Sequence, residues 1–153
     1  MQYQGYCLEI EKHFSKSEYI TISQLSVKML TRPHSCPMQN TELYCFVIND
    51  TEPSAELCEK LAKYALSVNF YDDPHCRKKT VIVPVFVSNA LSEGCRSFIK
   101  QKAQKKDGVI IVPAAFDVSE QNLICCENYP LALGAFCKIT EFINTNLKPQ
   151  NKI

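Results

Sequence analysis

Glycine is scarce in this chain. Only Gly5, Gly94, Gly108 and Gly134 occur in 153 residues. A dinucleotide fold or a P-loop needs glycines where backbone amides meet a pyrophosphate. The turn after the apolar run Leu43–Asn49 reads Asp-Thr-Glu-Pro-Ser, and the turn after Val81–Val87 reads Ser-Asn-Ala-Leu-Ser. Neither contains glycine, which argues against a standard nicotinamide or nucleoside-triphosphate site, and no cofactor is expected. No apolar run approaches the ~20 residues of a membrane span, so no membrane association is expected. The N-terminal residues lack a basic segment followed by a long apolar one; no signal peptide is read there, and a cytoplasmic, soluble protein is expected. A G-x-S-x-G nucleophile elbow is missing. So are the short Cys–Cys or His–His spacings of a four-ligand zinc site. His34-Ser35-Cys36, His75-Cys76 and Cys125-Cys126 are therefore not read as a metal centre.

What is present is ordinary globular material. The chain is 46% apolar and 22% charged, enough for one domain with a real core. Its nine cysteines are an odd count without regular spacing, and several fall inside apolar segments. They read as buried reduced thiols rather than a disulfide frame. The net charge of +1 conceals an asymmetry. Residues 1–76 carry 6 basic and 10 acidic side chains, whereas residues 77–153 carry 11 and 6. Most of the excess sits in Arg77–Lys106, which holds 8 basic residues and only one acid, Glu93.

Two similar segments organise the pattern: Val81–Ser88 (VIVPVFVS) and Val109–Ser119 (VIIVPAAFDVS). Each is a β-branched run broken by a proline, and one helix-like segment capped by Ser92 lies between them. Strand, crossover helix, strand is the unit of a parallel sheet. Leu43–Asn49 is nearly continuous in apolar residues, as a strand covered on both faces would be. Residues 52–68 carry a helical stripe of Leu57, Leu61, Tyr64, Ala65 and Val68, started by Thr51 or Glu52. Tyr6–Phe14 reads as a short helix, Phe116–Cys126 as a small hairpin, and Leu131–Leu147 as a last helix. Residues 18–30 admit two readings, a strand with a bulge or tight bend at Ser23-Gln24, or a helix; clustered β-branched residues favour the strand. The fold expected is a single layered α/β domain over residues 1–153. Its central sheet is mostly parallel or mixed and is flanked by helices, with polar loops at 31–41 and 69–79 and a disordered tail at 148–153. Pro84 and Pro113 cannot donate to a ladder, so each strand is expected to lose regular pairing at its proline.

Ligands of open parallel sheets bind beyond the carboxyl ends of the strands. The polar residues there are Asp50, Thr51, Ser88, Asn89, Asp117 and Ser119, a set suited to a polar ligand or a metal ion. The plainer reading makes the first four helix caps and Asp117 a turn-former. A second candidate surface is basic: Arg77, Lys78, Lys79, Arg96 and Lys100. Phosphate contact needs only such charges within reach, but a solvated helix with lysines near its end explains them as well.

The element order helix, strand, strand, helix, strand, helix, together with this basic face, resembles the restriction-endonuclease-like nuclease core over about residues 5–115. That resemblance implies an acid on one strand and a [DE]-x-K on the next, holding a divalent metal. The chain contains no [DE]-x-K; its nearest spellings are Ser26-Val27-Lys28 and Glu59-Lys60. A fold of that kind would be a degenerate, non-cleaving copy. The leading expectation is a non-catalytic module that binds a protein partner or small polar ligand at the strand ends. The alternative is a nucleic-acid-binding or processing domain using Asp50 and Asp117 around a divalent ion. A homo-oligomer through the Phe116–Cys126 hairpin is a further expectation.

Overall fold

The computed structural model describes residues 2–36, 39–68, 79–101, 103–106, 108–126 and 137–150. Helix α1 (Gln2–Glu11) leads into three strands, β1 (Lys16–Ile22), β2 (Leu25–Cys36) and β3 (Gln39–Asn49). Helix α2 (Ala55–Val68), strand β4 (Lys79–Ser88) and helix α3 (Glu93–Ile99) follow. Four short strands come next: β5 (Gln104–Lys106), β6 (Val109–Ile111), β7 (Ala114–Asp117) and β8 (Asn122–Cys125). Helix α4 (Cys137–Phe142) passes into a π-helical segment, Ile143–Leu147.

The eight strands form one sheet in the order β1-β2-β3-β4-β6-β5, with β7 beside β4 and β8 beside β7. The α/β class stands, but the sheet is mixed rather than mostly parallel. Parallel pairing is confined to β4 and its neighbours β3, β6 and β7; β1–β2, β2–β3, β5–β6 and β7–β8 are antiparallel. The reason lies in connection length, because two-residue turns join only antiparallel strands. Ser23 and Gln24, at φ 49° and 67°, form such a turn between β1 and β2, with the left-handed pair typical of a type I′ hairpin.

The polar loop expected at 31–41 is mostly strand. β2 runs to Cys36 and β3 starts at Gln39, with Pro33 opposite Glu42. β1 reaches β2 only as far as Thr31, so Pro33 lies beyond the neighbour whose ladder a missing N–H would harm. Of the loop expected at 69–79, residues 69–78 lie outside the described residues and Lys79 already opens β4. Of the tail, 151–153 also lie outside them.

β3 is buried on both faces, as its composition suggests. Leu43, Cys45 and Val47 join one core with α1, α4 and the π-helical segment. Tyr44, Phe46 and Ile48 join the other, with α2 and α3. Tyr6 ties three elements of the first core: its ring stacks on Phe116 at 4.4 Å between centroids, and its hydroxyl donates to the Leu147 carbonyl at 2.8 Å.

The prolines act together. β4 continues through Pro84 in its pairing with β3, and the expected loss of regular pairing at the proline falls on its other side, where its partner is interrupted between β6 and β7. Val112 N–H donates to the Ile82 carbonyl, so Ile82, Pro84 and Phe86 turn their backbone groups toward β6 and β7. In a regular parallel ladder residue 84 would donate back to Val112, and proline cannot. Pro113 faces the other way, at the point where the antiparallel neighbour changes from β5 to β8.

Candidate functional site

The carboxyl ends of β3 and β4 open into a cleft of about 190 Å³, well above the roughly 10–15 Å³ that one water needs. Asn49, Asp50, Val87, Ser88 and Asn89 line it from the strand ends, Val118 from the end of β7, and Gln2 and Tyr3 from the start of α1. Tyr3 docks α1 here, its hydroxyl donating to the Val47 carbonyl at 2.8 Å. Burial, followed by the nearby Cys7, pushes the Tyr3 phenol far above its ordinary pKa, so it is neutral at physiological pH.

The backbone around the cleft is pinned. Asp50 N–H donates to Val87 at 2.8 Å, Val118 N–H to Ser88 at 2.9 Å and Ser119 N–H to Asn89 at 3.0 Å, all to carbonyls. Asp50 takes a left-handed φ of 48°, which Asp tolerates better than most residues. The two crossover loops are also fastened together, because the Ser92 hydroxyl donates to the Glu52 carboxylate at 2.8 Å. The side chains facing the cleft are freer. Among the described residues, no hydrogen bond or ion pair engages the Gln2, Asn49, Asp50 or Asn89 side chains.

The six strand-end residues thus divide. Asp50, Ser88 and Asn89 are brought together at the cleft. Thr51 turns its hydroxyl to the Asn49 carbonyl at 3.0 Å. Ser119 donates to Asp117 at 2.7 Å. Asp117 itself is 1% exposed and fully engaged. One oxygen accepts from Ser119 Oγ and Glu120 N–H, the other from Leu91 N–H at 3.2 Å and Arg96 Nη2 at 3.3 Å. Burial alone would raise its pKa, but Ser119, the two backbone donors and Arg96 outweigh that and hold it below the ordinary value. With four donors on two oxygens, Asp117 is a fastener for the β4–α3 loop and the β7–β8 turn. It presents no open position for an ion shared with Asp50.

The expected helix caps are also reassigned. Ser54, rather than Thr51 or Glu52, accepts from Leu57 N–H at 3.1 Å. Ser92 caps α3 as its sequence implies, accepting from Cys95 N–H at 3.0 Å.

In the basic candidate surface, Arg77 and Lys78 lie outside the described residues, as does the side chain of Lys79. Arg96 is paired with Asp117 and, at 3.5 Å, with Glu120. Lys100 is exposed at the end of α3. Among the described strands, carboxylates occur at Glu18 on β1, Glu42 on β3 and Asp117 on β7. Glu18 and Glu42 are separated by β2, opposite Met29 and Pro33 respectively. No two adjacent strands therefore bring acids together, and no group of three His, Cys, Asp or Glu suited to a metal occurs among the described residues. Cys126 is buried and its thiol donates to the Gln101 carbonyl. His75-Cys76 and the side chains of His34, Ser35 and Cys36 lie outside the described residues.

The sequence reading missed Gln2, Tyr3 and Asn49. Asn49 carried a signal, as the polar end of a buried run. Gln2 and Tyr3 reach the cleft only through the packing of α1, which no local pattern reveals. A scan against protein-family models finds no match, and no curated protein or solved structure matches the chain. None of the helices among the described residues is long and apolar enough to cross a membrane.

Proposed function

We propose that this chain is a non-catalytic binding module that seats a small polar ligand in the cleft at the ends of β3 and β4. One observation carries the reading: four uncommitted polar side chains, Gln2, Asn49, Asp50 and Asn89, converge on a cleft whose backbone is held by ladder bonds. Preorganised concave sites with a few convergent polar groups are where small ligands bind. The non-catalytic character rests on the lining itself. Among the described residues of the lining Asp50 has no His, Cys or Lys beside it, and the Ser88 hydroxyl is directed away from any nucleophilic role, donating to the Ala90 carbonyl at 3.0 Å. An amide-resolved NMR screen of polar fragments tests this. Hits should shift Asn49, Asp50, Ser88 and Asn89 and be lost in the double variant Asp50→Ala/Asn89→Ala. Hits that cluster instead in a separate pocket lined by Cys58, Phe98 and Ile111 would count against it.

A second reading, a degenerate nuclease-like module that holds nucleic acid without cleaving it, draws on the succession of helix, strands, helix and strand in α1, β1–β3, α2 and β4, which has one strand more than the order that suggested it. The engagement of Arg96 by Asp117 and Glu120 weighs against it. Titrating salt against a bound DNA or RNA pool separates the two, because phosphate contact makes affinity fall steeply with ionic strength.

A further inference from the structure

The charge of the cleft narrows its ligand. Resting on the small-ligand reading above, we infer that the cleft selects an organic cation, a small molecule with an ammonium group beside hydroxyl or amide groups, and that Asp50 supplies the counter-charge. Among the described residues of the lining, Asp50 is the one with a charged side chain, and none is Lys, Arg or His. Two cations outside the lining are committed to other partners: Lys28 pairs with Glu11 at 3.4 Å and lies 4.5 Å from the Tyr19 ring centroid, and Arg96 is held as described. No described residue of the lining therefore offsets Asp50, and an anion entering the cleft meets its carboxylate.

The remaining groups fit the rest of such a ligand. Gln2, Asn49 and Asn89 each offer an amide donor and an acceptor, which suits hydroxyls or amides and is indifferent to charge. A hard divalent ion fits less well, because calcium gathers six to eight oxygens and usually several carboxylates, and the described residues of the lining supply one. The pinned backbone of Asp50, bonded to Val87 and left-handed in φ, fixes the charge at one wall.

The test uses the full chain, 15N-labelled, at fixed ionic strength, with ethanolamine, ethylene glycol, sodium phosphate and calcium chloride as probes. Ethanolamine and ethylene glycol share a hydroxyl and differ in one ammonium group. Ethanolamine should shift the Asn49, Asp50, Ser88 and Asn89 amides saturably and at least tenfold more tightly than ethylene glycol. Asp50→Asn removes only the charge, and Asn accepts the same φ; it should erase that tenfold preference while leaving the spectrum away from the cleft unchanged. Asp50→Gly, which has no strain at this φ, should also erase the preference and guards against a folding artefact. Equal binding of ethanolamine and ethylene glycol overturns the cation assignment and leaves the polar-ligand reading standing. Tighter binding of phosphate or calcium at these amides also overturns it. If neither these probes nor the wider polar screen moves the cleft amides, both readings fall.

Discussion

Asp117 offers the sharpest quantitative test of how the site is built. Asp117→Ala removes an acceptor of four hydrogen bonds of 2.7–3.3 Å from a side chain 2% exposed. Hydrogen bonds to a charged group contribute about 1.5–3 kcal/mol each, but not additively. Ser119 is exposed and the Arg96 side chain is 26% exposed, so those two donors regain water. Counting only the backbone donors Leu91 and Glu120, at the low end of the range, gives a loss of about 3 kcal/mol. For a chain of this size that lowers Tm by roughly 6–12 °C. Asp117→Asn keeps the shape, yet either orientation of its amide sets NH₂ against two donors; a loss of about 2 kcal/mol is expected.

Urea unfolding followed by circular dichroism measures both. The pH dependence supplies an independent readout. The folded carboxyl titrates below its ordinary value of 3.8, so its contribution is complete above that value and fades as pH falls through the folded pKa. Wild-type stability should therefore drop more steeply below about pH 4 than that of Asp117→Asn. Variants within about 0.5 kcal/mol of wild type, or an unchanged acid limb, would refute the fastener assignment and reopen Asp117 as a ligand group.

Three further outcomes follow from local geometry. Replacing Ser23-Gln24 by Asn-Gly, the pair best suited to two left-handed residues, should stabilise the β1–β2 hairpin by about 1 kcal/mol, read as a higher urea midpoint. Ser54→Ala should cost about 1 kcal/mol through the lost α2 cap, with Thr51→Ala near neutral; the reverse order would show that Thr51 is the cap. Burial pushes the thiols of Cys7 and Cys95 up to about 11 and that of Cys58 up to about 12. Native protein at pH 7.5 should leave these three unalkylated by iodoacetamide in peptide mass spectrometry until urea is added, and rapid native labelling of any of them would contradict their placement.

The buried elements were legible because burial imposes pattern. Leu43–Asn49 showed its two covered faces, residues 55–68 their apolar stripe, and Ser92 its cap. The β1–β2 turn was visible only as a slip, since Ser23 and Gln24 adopt left-handed angles without the Asn or Gly that announces them. Pro33 misled for a related reason: a proline reads as a loop unless one knows that the adjacent strand has already ended. The candidate site was half legible. Local polarity marked Asp50, Ser88 and Asn89, but the same polarity marked Asp117, whose donors Leu91 and Arg96 lie 26 and 21 residues away. Val68, expected on the buried stripe, is 44% exposed as the last residue of α2.

The mixed sheet also has a consequence for the order of folding. β1, β2 and β3 follow one another closely in sequence and pair with little loss of chain entropy, whereas β4 reaches β3 only after a long crossover, and β7 follows later still. Contacts that close short loops form early, and distant ones add little until then. The Asn-Gly turn should therefore act mainly by speeding folding, and Asp117→Ala mainly by speeding unfolding. On this view the cleft belongs to the last part of the chain to be assembled, because its walls meet only when β4 has docked beside β3.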